Sequence, residues 1–165
     1  MLGLAVGSRW AARSVWLRRS PLVAYAGLEL GIALYAVAFP LLVSALEALY
    51  PALFRALEGH PLALSLTRFV LAFVLLLPST FLMGASLPAM AEAVVAPRET
   101  LARRVAWLYA LNTLGGVAGT LLGGFFLLER LGITGSLYAG AAGSATVAAA
   151  AFALSRHPAH RRRSA

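Results

Sequence analysis

The chain has 165 residues, of which 61% are hydrophobic and 12% charged, with a mean hydropathy of +0.82. A soluble domain carries roughly twice that charged share, so a single water-soluble core is excluded, and the length allows one compact membrane unit. The net charge of +8 comes from fourteen arginines and no lysine. These arginines stand in short clusters between apolar runs, an arrangement that suits anionic lipid headgroups and speaks against nucleic acid as a partner. There is no cysteine, which excludes disulfides and thiolate metal sites. The bias toward Ala, Leu, Gly and Arg, without Lys or Asp, points to a GC-rich bacterial source and hence to the inner cell membrane.

In chain order, the apolar stretch 1–6 is too short for a secretory signal and precedes its arginines, Arg9 and Arg13, instead of following them. It reads as the end of a truncated helix, with residues 1–20 completed by a basic cytoplasmic loop. A bilayer requires about 20 apolar residues of helix. The first candidate span covers residues 21–46 and is interrupted only by Glu29. The connection over 47–67 is the longest, with Glu47, Arg55, Glu58 and His60, and its Leu-Phe-Ala patterning predicts a short interfacial helix. The second span covers 69–91 and contains Pro78 and Pro88; spans three (105–128) and four (131–155) hold no charge apart from the Glu129–Arg130 hairpin between them. That near-hairpin makes spans three and four adjacent and antiparallel. Residues 156–165 form a basic tail.

Arginine placement fixes direction. Eleven of the fourteen fall before span one, between spans two and three, or after span four; only Arg55, Arg68 and Arg130 fall on the other side. By the positive-inside rule both ends are cytoplasmic. The expected fold is therefore all-α: a polytopic transmembrane helical bundle of four full spans, residues 21–155, plus a short N-terminal remnant helix, N-in and C-in.

Within the spans, Gly115, Gly119 and Gly123 are spaced by four and line one helix face, next to Gly116 and Gly124. Gly27 and Gly31 repeat the device in span one. Such faces either let another helix backbone approach closely or give a sliding surface for a rocking motion. Glu29 lies about two turns into span one, where a carboxylate is costly unless it is paired, protonated or facing water. With Asn112 or Thr113 as partner it either locks two helices or handles a proton or substrate. Pro40, Pro78 and Pro88, with Gly84, mark expected kinks of the sort that flank substrate sites or simply bend ordinary spans. No histidines and carboxylates share metal-ligand spacing, and no glycine loop joins a strand to a helix, so no catalytic residue, cofactor or metal is expected.

Four segments carry a resemblance: GLAVGS (3–8), LELGIALYA (28–36), PSTFLMGASLPAMA (78–91) and LYALNTLGGVAGTLLGGFFLLERLG (108–132). They resemble the membrane portion of the bacterial fused spermidine synthase-like proteins, in which helices similar to half of a major facilitator transporter are joined to an aminopropyltransferase domain. The resemblance covers the chain up to about Leu154 and is most specific in LNTLGG and the following LLERLG. It implies that residues 1–8 are the tail of the family's second helix and that 9–19 are a cytoplasmic loop. It also implies that the catalytic domain has no counterpart here, so none of its residues carries over. The implied function is a non-catalytic membrane region whose partners are the bilayer, further transmembrane helices or a cytoplasmic aminopropyltransferase-like domain. The competing expectation is a transporter half-bundle moving a small solute such as a polyamine.

Overall fold

The computed structural model describes residues 1–94 and 98–157, with backbone only at 98–101, and it contains helices and no strands among the described residues. Of the basic tail expected over 156–165, Arg156 ends α6, and residues 158–165 lie outside the described residues. The elements are α1 (Leu2–Arg13), α2 (Val15–Arg19), α3 (Pro21–Ala56), α4 (Pro61–Ala93), α5 (Arg98–Leu122), a π-helical turn (Gly123–Leu127) and α6 (Leu128–Arg156).

Three helical stretches, Pro21–Ala56, Pro61–Ala93 and Ala102–Arg156, are long and apolar enough to cross a membrane, and the chain is accordingly a helical membrane protein. Their outward side chains suit lipid: Leu41 and Ile133 are each 72% exposed. Proline opens both α3 and α4 at the first helical position, where a missing N–H costs nothing. Pro40 and Pro51 lie inside α3, and Pro78 and Pro88 inside α4, and both helices continue through them.

The arginine-rich stretch after residue 8, expected as a loop, is helical. α1 runs on to Arg13, Ser14 is extended, and α2 turns the corner into α3. Arg18 closes this corner by donating from Nη2 to the Ala12 carbonyl at 2.7 Å, which satisfies an acceptor at the open end of α1. The connection expected over 47–67 is also mostly helix. α3 extends to Ala56 and α4 starts at Pro61, leaving a turn over Leu57–His60 in which Gly59 takes φ 93°. The helix-forming Ala, Leu and Glu residues carry α3 past the apolar run. At 36 residues it is about 54 Å long, well beyond a hydrocarbon core of about 30 Å.

The core is made of small residues. Ala11, Leu17, Ala24, Leu28, Ala85 and Ala89 form one buried cluster with Tyr25 and Leu82 against it. α1 and α4 pack with backbones nearly touching. A Cβ on Gly3 would strike Thr80, one on Gly7 would strike Phe81, and one on Gly84 would strike Leu4. Because the contacts advance together along both helices, α1 and α4 are parallel. α3 is antiparallel to α4: Gly31 meets Leu82, the Tyr35 hydroxyl donates to the Leu75 carbonyl, and Arg68 donates to the Tyr50 hydroxyl while stacking over its ring. The Arg9–Arg19 corner thus shares one end of the unit with the end of α4.

α6 packs along α3, burying Ala141, Ala148 and Ala151. The stretch from Ala102 to Arg156 is not one straight rod. Asn112 and Ser144 line the same cavity, whereas a straight helix would separate them by about 48 Å. The chain turns back between them, at Gly132, whose φ of 66° and ψ of −173° are open only to glycine. Spans three and four, expected to be adjacent and antiparallel, are joined through the reversal at Gly132 but show little direct packing among the described residues. α6 lies on α3, and the described side chains of α5 are almost all exposed.

Candidate functional site

This arrangement forms an open cavity of about 740 Å³ lined from five helices. α1 supplies Leu4, Ala5 and Ser8, which share a face, and Met1 just before the helix joins them. α3 supplies Glu29 and Ile32, again one turn apart. α4 supplies Met83, Gly84, Ser86, Leu87 and Pro88, and α5 and α6 each supply one polar residue, Asn112 and Ser144.

Glu29 stands eight residues into α3, about 12 Å from its arginine-rich end. It is half-buried, with Tyr25 one turn below it on the same helix face. Among the described residues that line the cavity there is no arginine or histidine, and Glu29 is the only charged side chain. In lipid such a group keeps its charge only with hydrogen-bond donors, water or a cationic ligand beside it. The serines add acceptors. Ser8 donates to the Ala5 carbonyl at 3.0 Å and Ser86 to the Met83 carbonyl at 2.9 Å. Each hydroxyl proton is therefore held within its own helix, and the lone pairs of the oxygen are left for something else.

Of the polar residues singled out from sequence, Glu29 and Asn112 are brought together, although they are far apart in the chain. Thr113 is not: its hydroxyl donates to the Tyr109 carbonyl at 2.9 Å and it lies outside the cavity lining. Among the glycines, Gly27 faces the Trp16 indole and Gly31 faces Leu82, where an added Cβ would lie 3.2 and 3.3 Å away. Gly115, Gly119 and Gly123 have no such neighbour, since nothing lies within 4 Å of an added Cβ at any of them. Gly84 is the point at which α4 admits the α1 backbone, and Pro88 sits one turn further along at the cavity wall. Pro40 and Pro78 lie away from the cavity.

Sequence reasoning missed Ser8, Ser86 and Ser144. A signal existed for Ser86, which lies inside the GASLP run next to Gly84 and Pro88. Isolated serines in apolar helices, such as Ser8 and Ser144, give none. Among the described residues, no group of three or more His, Asp or Glu could hold a metal ion.

The fold and this site define a class: a multi-helix membrane protein with an open, mostly apolar cavity among its helices that carries a few polar groups. Comparison with protein-family models, with curated proteins and with solved structures gives no match.

Proposed function

We propose that this chain is a solute-binding membrane bundle of transporter type. It has four spans, with both ends on the cytoplasmic side of the inner membrane, and its central cavity holds a small polar molecule. The observation that carries the reading is the convergence of Glu29, Asn112, Ser8, Ser86 and Ser144, from four helices besides that of Glu29, on one cavity of about 740 Å³. That volume lies within the range of small-molecule sites, about 300–1,000 Å³, and the lining has their usual mixture of apolar wall and few polar groups. The return of the chain at Gly132 supports counting two crossings between Ala102 and Arg156. The shared end of the Arg9–Arg19 corner and of α4 supports the orientation by the positive-inside rule.

The test uses the absence of cysteine. In Ser86→Cys protein the single thiol is expected to react with a membrane-impermeant thiol reagent, because a solute cavity must be reachable from water. In Leu34→Cys protein, where the thiol replaces a side chain that is 63% exposed toward lipid, it is expected to stay unreactive. Equal protection of both thiols would refute the reading.

A second reading draws on the resemblance to spermidine synthase-like proteins: a non-catalytic membrane region that serves an aminopropyltransferase-like domain. It is supported by the placement of the Arg9–Arg19 face, where a cytoplasmic partner would dock. Copurification of an aminopropyltransferase with the tagged chain from native membranes would favour it.

A further inference from the structure

We infer that the outward face of α1 is a docking site for one anionic phospholipid, with its phosphate between Arg9 and Arg13 and an acyl chain along Leu2 and Val6. The helix sorts its residues into two faces. Gly3, Gly7 and Ala11, one turn apart, are buried, and the first two meet α4 backbone or side chain at once. Leu2, Val6, Arg9 and Arg13 follow one another at intervals of four, three and four, so they share the side turned away from that seam, and all four are exposed. Over about 17 Å this stripe passes from hydrocarbon to cation, the same order in which a lipid passes from acyl chain to headgroup.

The depth fits as well. α4 carries no charge between Arg68 and Glu92, so Glu92 marks the end of its apolar run. Ala11 is buried with Ala85 and Ala89, and α1 runs parallel to α4. Arg13 therefore stands near the level of Glu92, and Arg9 lies one turn, about 6 Å, deeper. Trp10 and Trp16, both exposed, flank the pair, and tryptophan favours the headgroup layer. A guanidinium at the edge of lipid needs an anion beside it, and its planar fork matches a phosphate. The sequence offers few alternatives. Residues 1–28 hold no acid, and the stretch 92–104 adds Glu92 and Glu99 but also Arg98, Arg103 and Arg104. The carbonyl end of α1, which would repel an anion, is capped by Arg18 through its bond to the Ala12 carbonyl.

Purified full chain in mild detergent is titrated with phosphatidylglycerol and with phosphatidylcholine of the same acyl chains, and bound lipid is counted by native mass spectrometry. Wild type is expected to hold one phosphatidylglycerol roughly 25-fold more tightly than phosphatidylcholine, about fivefold for each arginine at about 1 kcal/mol apiece. Arg9→Gln/Arg13→Gln should lose that preference. Arg103→Gln/Arg104→Gln, which removes the same charge elsewhere, should keep it. Equal loss in both double variants would mean diffuse attraction to a basic surface, and no loss in the first would put the lipid elsewhere; either result overturns the site. So does a wild type that shows no preference for phosphatidylglycerol. Displacement of the lipid by an equal concentration of glycerol 3-phosphate would assign the guanidiniums to a soluble phosphate ester, and a lipid-free dimer would give the face to a second copy of the chain; both also overturn it. The unfolding midpoint in SDS shows whether the variants keep the fold. If Arg9→Gln/Arg13→Gln does not, Arg9→Gln alone carries the same test, with an expected loss of about fivefold.

Discussion

A backbone-to-backbone approach of α1 and α4 gives the sharpest quantitative test of the fold. At Gly84 an added Cβ would lie 2.6 Å from the Leu4 Cα and 2.8 Å from its carbonyl carbon. Both are main-chain atoms, so no rotamer change relieves the overlap and α1 itself must move. Overpacking of this kind costs about 1–3 kcal/mol. Alanine also gains about 1 kcal/mol over glycine in helix propensity, which would mask part of the cost if Gly84→Ala were measured alone. Gly115→Ala supplies the reference, since it makes the same chemical change in a helix with nothing within 4 Å of the new methyl. Subtracting one variant from the other cancels propensity and leaves the packing term. Gly84→Ala should therefore be less stable than Gly115→Ala by about 2 kcal/mol, roughly a 30-fold difference in the unfolding equilibrium. Reversible unfolding in mixed micelles of rising SDS fraction, followed by tryptophan fluorescence, measures the difference. Trp10 and Trp16 sit in the region that would be disturbed: Trp10 meets Phe81 in a tilted ring pair with centroids 5.6 Å apart, and Trp16 lies over Gly27. Identical unfolding midpoints for the two variants, or a lower one for Gly115→Ala, would refute the parallel α1–α4 contact.

Three further outcomes follow from the same geometry. Gly132→Ala should destabilise the protein by about 1–3 kcal/mol, because φ 66° with ψ −173° is strained for any side-chain-bearing residue; an unchanged SDS midpoint would remove the chain reversal at that position. Tyr35→Phe should cost about 0.6 kcal/mol, and at most about 1.7, by losing the hydrogen bond to the Leu75 carbonyl that ties α3 to α4, read as a small drop in thermal midpoint in detergent. Ser14→Cys and His157→Cys thiols should be labelled from one side of sealed vesicles, and Glu58→Cys and Arg130→Cys thiols from the other. Labelling of Ser14→Cys and His157→Cys from opposite faces would mean an odd number of crossings and would end the four-span topology.

Much of the architecture is legible because lipid simplifies the problem: a long apolar run must be helical, whatever its local propensities. The apolar runs 21–46 and 69–91 lie inside α3 and α4. Their ends were harder to place, since hydropathy reports where the bilayer stops and not where the helix stops. α3 continues ten residues past 46 on Ala, Leu and Glu, residues that favour helix in water as well. The same reasoning misplaced the Arg9–Arg13 stretch, where charge suggested a loop although alanine and tryptophan sustain the turn to Arg13. At the site, Glu29 stood out because a lone carboxylate in an apolar run is conspicuous. Asn112 could be named for the same reason, but not the level at which α5 would bring it. The serines were invisible because their presence in the cavity depends on helix rotation, which a run of small and apolar residues leaves undetermined. Glycine spacing was an equally ambiguous signal: Gly84 and Gly7 meet backbone, whereas the more regular series at Gly115, Gly119 and Gly123 meets nothing within this chain.

That contrast bears on how the cavity is held. In lipid, apolar burial supplies no net drive between helices, so a wall is only as firm as its van der Waals contacts and hydrogen bonds. The α1, α3 and α4 walls are firm by this measure: glycine and alanine bring the backbones together, and Tyr35 adds a hydrogen bond across. α6 is held along α3 through Ala141, Ala148 and Ala151. α5 has neither close backbone contact nor a tertiary hydrogen bond among its described residues, and its threonines Thr113 and Thr120 donate to carbonyls of their own helix. It is joined to the rest through the π-turn at Gly123–Leu127 and the glycine reversal beyond it, two backbone irregularities in ten residues. Glu29 therefore sits on a rigid wall, and Asn112, the polar group brought in from α5, sits on the wall with least to hold it. A ligand bridging the two would gain contacts that the empty protein lacks, so binding and the docking of α5 are thermodynamically linked.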